Sequence, residues 1–169
     1  SLERGMFRTL SYRTYSSEKE EGNPYSEVEE VFRKPNIDDT LGLHKHSVMF
    51  DNLDSRGIIK QSKKDGSAIH VTSGDILIGK AVVLPKKSQD IQMYKNSSVY
   101  VRREESGYVD SVFESKNDNE QFYKVRLRKI KVPRLGDKFA SRAAQKGTIG
   151  LILPEADMPT TADGLKPDI

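Results

Sequence analysis

The segment Tyr123-Lys124-Val125-Arg126-Leu127-Arg128 alternates apolar and basic residues with a period of two. Such a segment is a half-buried strand, and the chain that holds it has to provide a sheet for it to join. After Arg128 the pattern slips by one: Lys129 and Lys131 take the apolar parity, Ile130 and Val132 the polar one. A β-bulge near Arg128–Ile130 would absorb the slip, and bulges re-aim side chains next to functional sites. Pro133 then ends the ladder, and Gly136-Asp137 reads as a turn with Asp137 as a helix N-cap.

The same stretch concentrates charge. From Lys124 to Lys146 there are nine basic residues (Lys124, Arg126, Arg128, Lys129, Lys131, Arg134, Lys138, Arg142, Lys146) and one acid, Asp137. The window is therefore +8 in a chain whose total is only +3, which leaves −5 for everything else. From Lys138 to Lys146 the residues favour helix, with Ala140, Ala143 and Ala144 inside and Gly147 as its stop. That helix would carry Lys138, Arg142 and Lys146 at i, i+4 and i+8, a cationic stripe. Like charges at this spacing repel by a few tenths of a kcal/mol per pair. A bound polyanion would turn that cost into binding, because each neutralised phosphate releases counterions. The plain alternative is a solvated basic face.

Gly-Asp-Lys-Phe-Ala-Ser-Arg (136–142) followed by Gln-Lys-Gly-Thr-Ile-Gly (145–150) resembles the hybrid-binding region of the second-largest subunit of multisubunit DNA-directed RNA polymerase. Phe139 and Gln145 make it similar to the eukaryotic and archaeal form more than to the bacterial one, and Ala143-Ala144 would suit a divergent lineage such as a large-virus enzyme. Glu155–Ile169 and Arg4-Gly5-Met6-Phe7-Arg8 resemble other segments of that family. The resemblance implies a mainly β fold with short helices. Residues 1–14 and 122–169 would form two parts of the hybrid-binding region, contributing to a double-psi β-barrel. Residues 15–121 would be an inserted β-rich wall, or flap, domain. It further implies that Lys138 lies near the RNA 3′ end and the incoming nucleotide, an electrostatic catalytic role. Lys129 or Lys131 would be its upstream partner on the RNA–DNA hybrid. The catalytic Mg²⁺ would be held chiefly by the largest subunit, with none bound by this chain alone. Partners would be DNA template, RNA transcript, nucleoside triphosphates and the other polymerase subunits. The location would be the nucleus, or a host compartment or virion for a viral enzyme. The family usually has His-Gly after Ser-Arg, where this chain has Ala143-Ala144.

Charge alone supports a narrower statement: Lys131, Lys138, Arg142 and Lys146 suit a phosphate backbone contacted without sequence readout. A stand-alone β-rich basic module without catalysis needs nothing more. Composition narrows the field further. With 35% hydrophobic and 31% charged residues, seven Tyr and six Phe have to carry much of the packing. No apolar run reaches membrane-spanning length, and no signal peptide is recognisable. The absence of Cys excludes disulfides and thiolate metal sites. An opening without Met and the ending Lys166-Pro167-Asp168-Ile169 predict an internal piece of a longer protein.

Along the rest of the chain, Leu2, Met6, Phe7 and Leu10 are spaced as on a short helix within Ser1–Tyr15. Ser16–Asp39 is acidic, with a turn at Gly22-Asn23-Pro24, and would face solvent or protein. His44-Lys45-His46 reads as surface histidines rather than a metal pair, since a lysine sits between them and only His70 is left besides. Turns are predicted at Asp54–Gly57 and Lys64–Ser67. Gly74-Asp75-Ile76-Leu77-Ile78-Gly79-Lys80-Ala81 has the spacing of a phosphate-binding loop, but Ala81 replaces the Mg²⁺-holding hydroxyl and the interior is apolar. Asp75–Leu84 reads instead as one buried strand. Val99–Arg103, Tyr108–Phe113 and the basic strand would then form an antiparallel meander, the last two joined through a polar tip at Lys116–Glu120.

Overall fold

The computed structural model describes residues 1–20, 29–43, 50–86, 91–116 and 120–169. The Gly22-Asn23-Pro24 turn, the His44-Lys45-His46 triplet and the centre of the 116–120 tip lie outside the described residues. The described part is β-rich. Its strands are β1 Thr9–Glu20, β2 Glu30–Phe32, β3 Thr40–Leu41, β4 His70–Val71, β5 Ile76–Ile78, β6 Lys80–Val83, β7 Tyr94–Asn96, β8 Val99–Tyr100, β9 Gly107–Lys116, β10 Glu120–Lys131, β11 Lys138–Ala140 and β12 Lys146–Thr148. The only helical turns among the described residues are short 3₁₀ turns at Phe50–Asn52 and Glu155–Asp157.

The chain divides into two compact units, residues 11–129 and residues 1–10 with 130–169. The larger unit is built on a sheet ordered β1-β10-β9-β4. The alternation in β10 does what its period predicts: Tyr123, Val125 and Leu127 are fully buried, with Arg126 half-exposed between them. They meet Val109 of β9, Ile69, Val71, Ile58, Leu77, Ile78 and Val101 in one core. The Tyr123 hydroxyl donates to Glu114 Oε1 at 3.1 Å and accepts from Gln121 Nε2 at 2.8 Å. Burial, and after it Glu114, push this phenol above its usual pKa.

A register irregularity does occur, but earlier than expected and on the neighbouring strand. Arg126 pairs Ser111 and Leu127 pairs Val109, so Asp110 is the extra residue. Side chains on β10 keep their parity beyond it. Lys129 stays on the inner parity, while Ile130 is 61% exposed. The physical gain is on β9: skipping Asp110 turns Val109 inward opposite Leu127 and Tyr108 outward opposite Arg128.

Three further expectations need correction. Asp75–Leu84 is two strands in different sheets: β5 pairs β8, whereas β6 pairs β2 and β7. The break is Gly79, whose N–H donates to Gly57 O at 2.8 Å and whose carbonyl accepts from Arg33 N at 3.1 Å. A Cβ there would lie 2.3 Å from the Arg33 carbonyl oxygen. The second glycine of the phosphate-loop look-alike is therefore required by backbone packing. The meander is also incomplete, because β9 joins β10 and β4, while β8 joins β5. Glu104, at φ 67°, turns the chain between them.

The expected helix at the chain start is absent as well. Residues 2–7 form turns closed by Gly5 N→Leu2 O and Met6 N→Ser1 O, with Gly5 at φ 74°, and the chain then extends into β1. Met6 and Leu10 are about half exposed, so the apolar spacing did not mark a buried stripe. In the smaller unit Phe7 packs edge-on against Phe139 with centroids 5.5 Å apart.

Candidate nucleic-acid interface

Lys138, Arg142 and Lys146 lie on a β-hairpin, not on the predicted helix. β11 pairs antiparallel with β12 in the register Lys138↔Thr148, Phe139↔Gly147 and Ala140↔Lys146. A nine-residue helix of this composition is marginal in water, and three like charges along one face weaken it. The hairpin has local support instead: Ser141 N donates to Gln145 O at 2.9 Å, and Ile149 N to Asp137 O at 2.9 Å. Ala144, at φ 61°, closes the loop in the left-handed region.

This change of element rearranges the cations rather than dispersing them. In an antiparallel ladder, paired residues share a face, and so do residues two apart on a strand. Lys138, Ala140, Lys146 and Thr148 therefore share one face, and Phe139 with Gly147 takes the other. Phe139 is anchored on Phe7, so the lysine face is turned away from that aromatic pair. Lys138 and Lys146 are exposed and diagonal to each other, and Arg142 stands exposed in the connecting loop. Among the described residues, none of the three forms a hydrogen bond or an ion pair.

The two upstream lysines are already engaged. Lys131 Nζ lies 2.8 Å from Asp137 Oδ1, and the other carboxylate oxygen accepts from Arg134 N at 3.0 Å. Asp137 thus caps the turn before β11, not a helix. The Lys131 ammonium, then the Arg134 N–H, holds its carboxyl below the usual carboxylate range. Lys129 belongs to the larger unit, where its Nζ donates to the Glu104 carbonyl at 2.7 Å.

Sequence reasoning passed over a second set of cations. Lys124, Arg126 and Arg128 lie on the outer face of β10, opposite Phe113, Ser111 and Tyr108 of β9. The Arg126 guanidinium sits over the rings of Tyr12 and Phe113 at 5.2 and 5.8 Å and pairs with Asp110 at 2.7 Å. The signal was present in the alternation of β10, had its polar parity been matched against the aromatics of β9. No three His, Asp or Glu side chains converge as a metal site among the described residues.

The family model described as RNA polymerase Rpb2, domain 6 matches residues 1–169. The chain belongs to the Rpb2 domain 6 family. It is 39% identical over 174 residues to the DNA-directed RNA polymerase II subunit RPB2 of Encephalitozoon cuniculi. Identity is 34% over 176 residues to subunit Rpo2 of Saccharolobus shibatae. It is again 34%, over 169 residues, to a probable RPB2 homolog of Invertebrate iridescent virus 3. Each alignment covers the whole of this chain and 14–15% of the relative's length. The Rpb2 match thus runs through both compact units, and includes the basic hairpin and the cation-bearing face of β10.

Proposed function

We propose that this Rpb2-family chain acts within a multisubunit DNA-directed RNA polymerase, where the β11–β12 hairpin holds the RNA–DNA hybrid by its phosphates. The observation that carries this reading is the exposed hairpin face. Two lysines share it, an arginine stands at its loop, and none has a partner among the described residues. An unpaired cation is free to meet a phosphate, and contacts of this kind position a duplex without reading its sequence. Lys138 is the residue nearest in role to the chemistry: an ammonium beside the RNA 3′ end stabilises charge that develops during phosphoryl transfer. Lys131 acts through Asp137 by fixing the turn from which β11 starts. Lys129 is a hybrid contact only if its bond to the Glu104 carbonyl opens.

In this proposal residues 1–14 and 122–169 belong to the hybrid-binding region and a double-psi barrel, and residues 15–121 to the wall. DNA template, RNA transcript, nucleoside triphosphates and the other polymerase subunits are the partners, in the nucleus for a eukaryotic enzyme. The catalytic Mg²⁺ would be held chiefly by the largest subunit.

The test is the chain's affinity for a short RNA–DNA hybrid across a salt series, with Lys138→Ala and Lys146→Ala alongside. A steep fall of affinity with salt, lessened by about one phosphate contact in each variant, is expected. Weak, salt-insensitive binding that neither variant changes would overturn the hairpin as a hybrid contact. Hybrid binding no tighter than binding to other polyanions would favour the stand-alone basic module.

A further inference from the structure

We infer that the outer face of β10 and β9 is a docking surface for an acidic protein segment in extended conformation. It lies wholly in the unit formed by residues 11–129 and does not depend on the hybrid-binding role of the hairpin. Lys124, Arg126 and Arg128 occupy alternate positions of one strand, so successive charges stand about 6.8 Å apart. That is also the spacing of alternate side chains in an extended peptide, so carboxylates four residues apart match Lys124 and Arg128, with Arg126 already paired to Asp110 between them. The face between them is apolar: Tyr12, Phe113 and Tyr108 are 49%, 47% and 43% exposed, which is high for rings on a sheet. Asp110 is the acid bonded here, and its carboxylate is taken by Arg126. Lys124 and Arg128 have no ion pair among the described residues.

Interleaved cations and aromatics also describe a single-stranded nucleic-acid platform, but base stacking needs an open ring face. Here cations already lie over three of the rings: Arg126 over Tyr12 and Phe113, and Lys124 over Phe122 at 5.3 Å. Tyr108 meets His70 in an edge-to-face contact at 4.9 Å. A guanidinium held over a ring still presents its N–H edge to a carboxylate, and exposed ring edges accept aliphatic side chains. A peptide alternating Asp or Glu with Leu or Val satisfies both.

The experiment uses fluorescence anisotropy with the intact chain and three probes: a ten-residue peptide alternating Glu and Val, its Gln-for-Glu counterpart, and a ten-nucleotide single-stranded RNA. Binding of the acidic peptide is expected to be salt-sensitive and to fall about five- to tenfold in a Lys124→Gln, Arg128→Gln double variant. Neither residue has an ion pair to lose, and circular dichroism checks that the sheet is intact. A single Lys124→Gln variant serves if the double one unfolds. Lys138→Ala is expected to leave peptide binding unchanged, which separates this surface from the hairpin. Equal affinity for the acidic and neutral peptides would overturn the inference. So would RNA binding that is tighter than peptide binding and is lost in the same double variant.

Discussion

Ala144 carries a conformational cost in the candidate site. An L-residue in the left-handed region pays about 1–2 kcal/mol relative to glycine, offset in part by the larger unfolded-state entropy of glycine. The polymerase family that the sequence resembles usually has glycine at this position, and φ 61° gives the reason. Ala144→Gly is therefore expected to stabilise the hairpin by about 0.5–1 kcal/mol, measured by denaturant unfolding of the two chains side by side. The hydrogen bond from Ala144 N to Ser141 O, 3.1 Å, stays available in the variant, so a loss of stability would show that φ is not the limiting feature. The sequence revealed that Ala143-Ala144 departs from His-Gly but not what the departure costs. Alanine pairs read as helix by propensity, and propensity is local.

At the level of elements, the strands with a strict alternation were legible and the short ones were not. β10 was recoverable because its buried parity is filled by Tyr123, Val125 and Leu127 without exception. The hairpin was missed because nothing in Lys138–Lys146 alternates strongly, and Phe139 finds its partner in Phe7, far away in sequence. The break between β5 and β6 was missed for a similar reason: the carbonyl of Arg33 that imposes it comes from another element. Gly79→Ala tests that account. Placing a methyl 2.3 Å from the Arg33 oxygen forces backbone movement, so a loss of about 1–3 kcal/mol is expected in thermal or denaturant unfolding. Gly74→Ala, with open space around its Cβ but φ 92°, is the control for strain without overlap.

Over the whole molecule, burial is uneven. Every residue of the hydrophobic core lies between Tyr15 and Leu127, whereas Leu135, Leu151, Ile152, Leu153 and Leu165 in the smaller unit are at least 41% exposed. Two-stranded hairpins without such a core are marginally stable. Native-state hydrogen exchange is thus expected to be slowest at Val125 and Leu127 and at least about tenfold faster at Lys138–Thr148. Uniform protection would show that the hairpin is stabilised by more than its own ladder. The same division bears on the order of folding. The smaller unit joins residues far apart in the chain, with Arg4 paired to Asp168 and Phe7 packed on Phe139. Closing so long a loop in an unfolded chain carries a large entropic penalty. Once β1 and β10 are neighbours, with Ser11 Oγ donating to Lys129 O at 3.4 Å, that loop is already closed. The larger unit is thus expected to act as an intramolecular template, with the basic hairpin assembling last, on ends that have already been brought together.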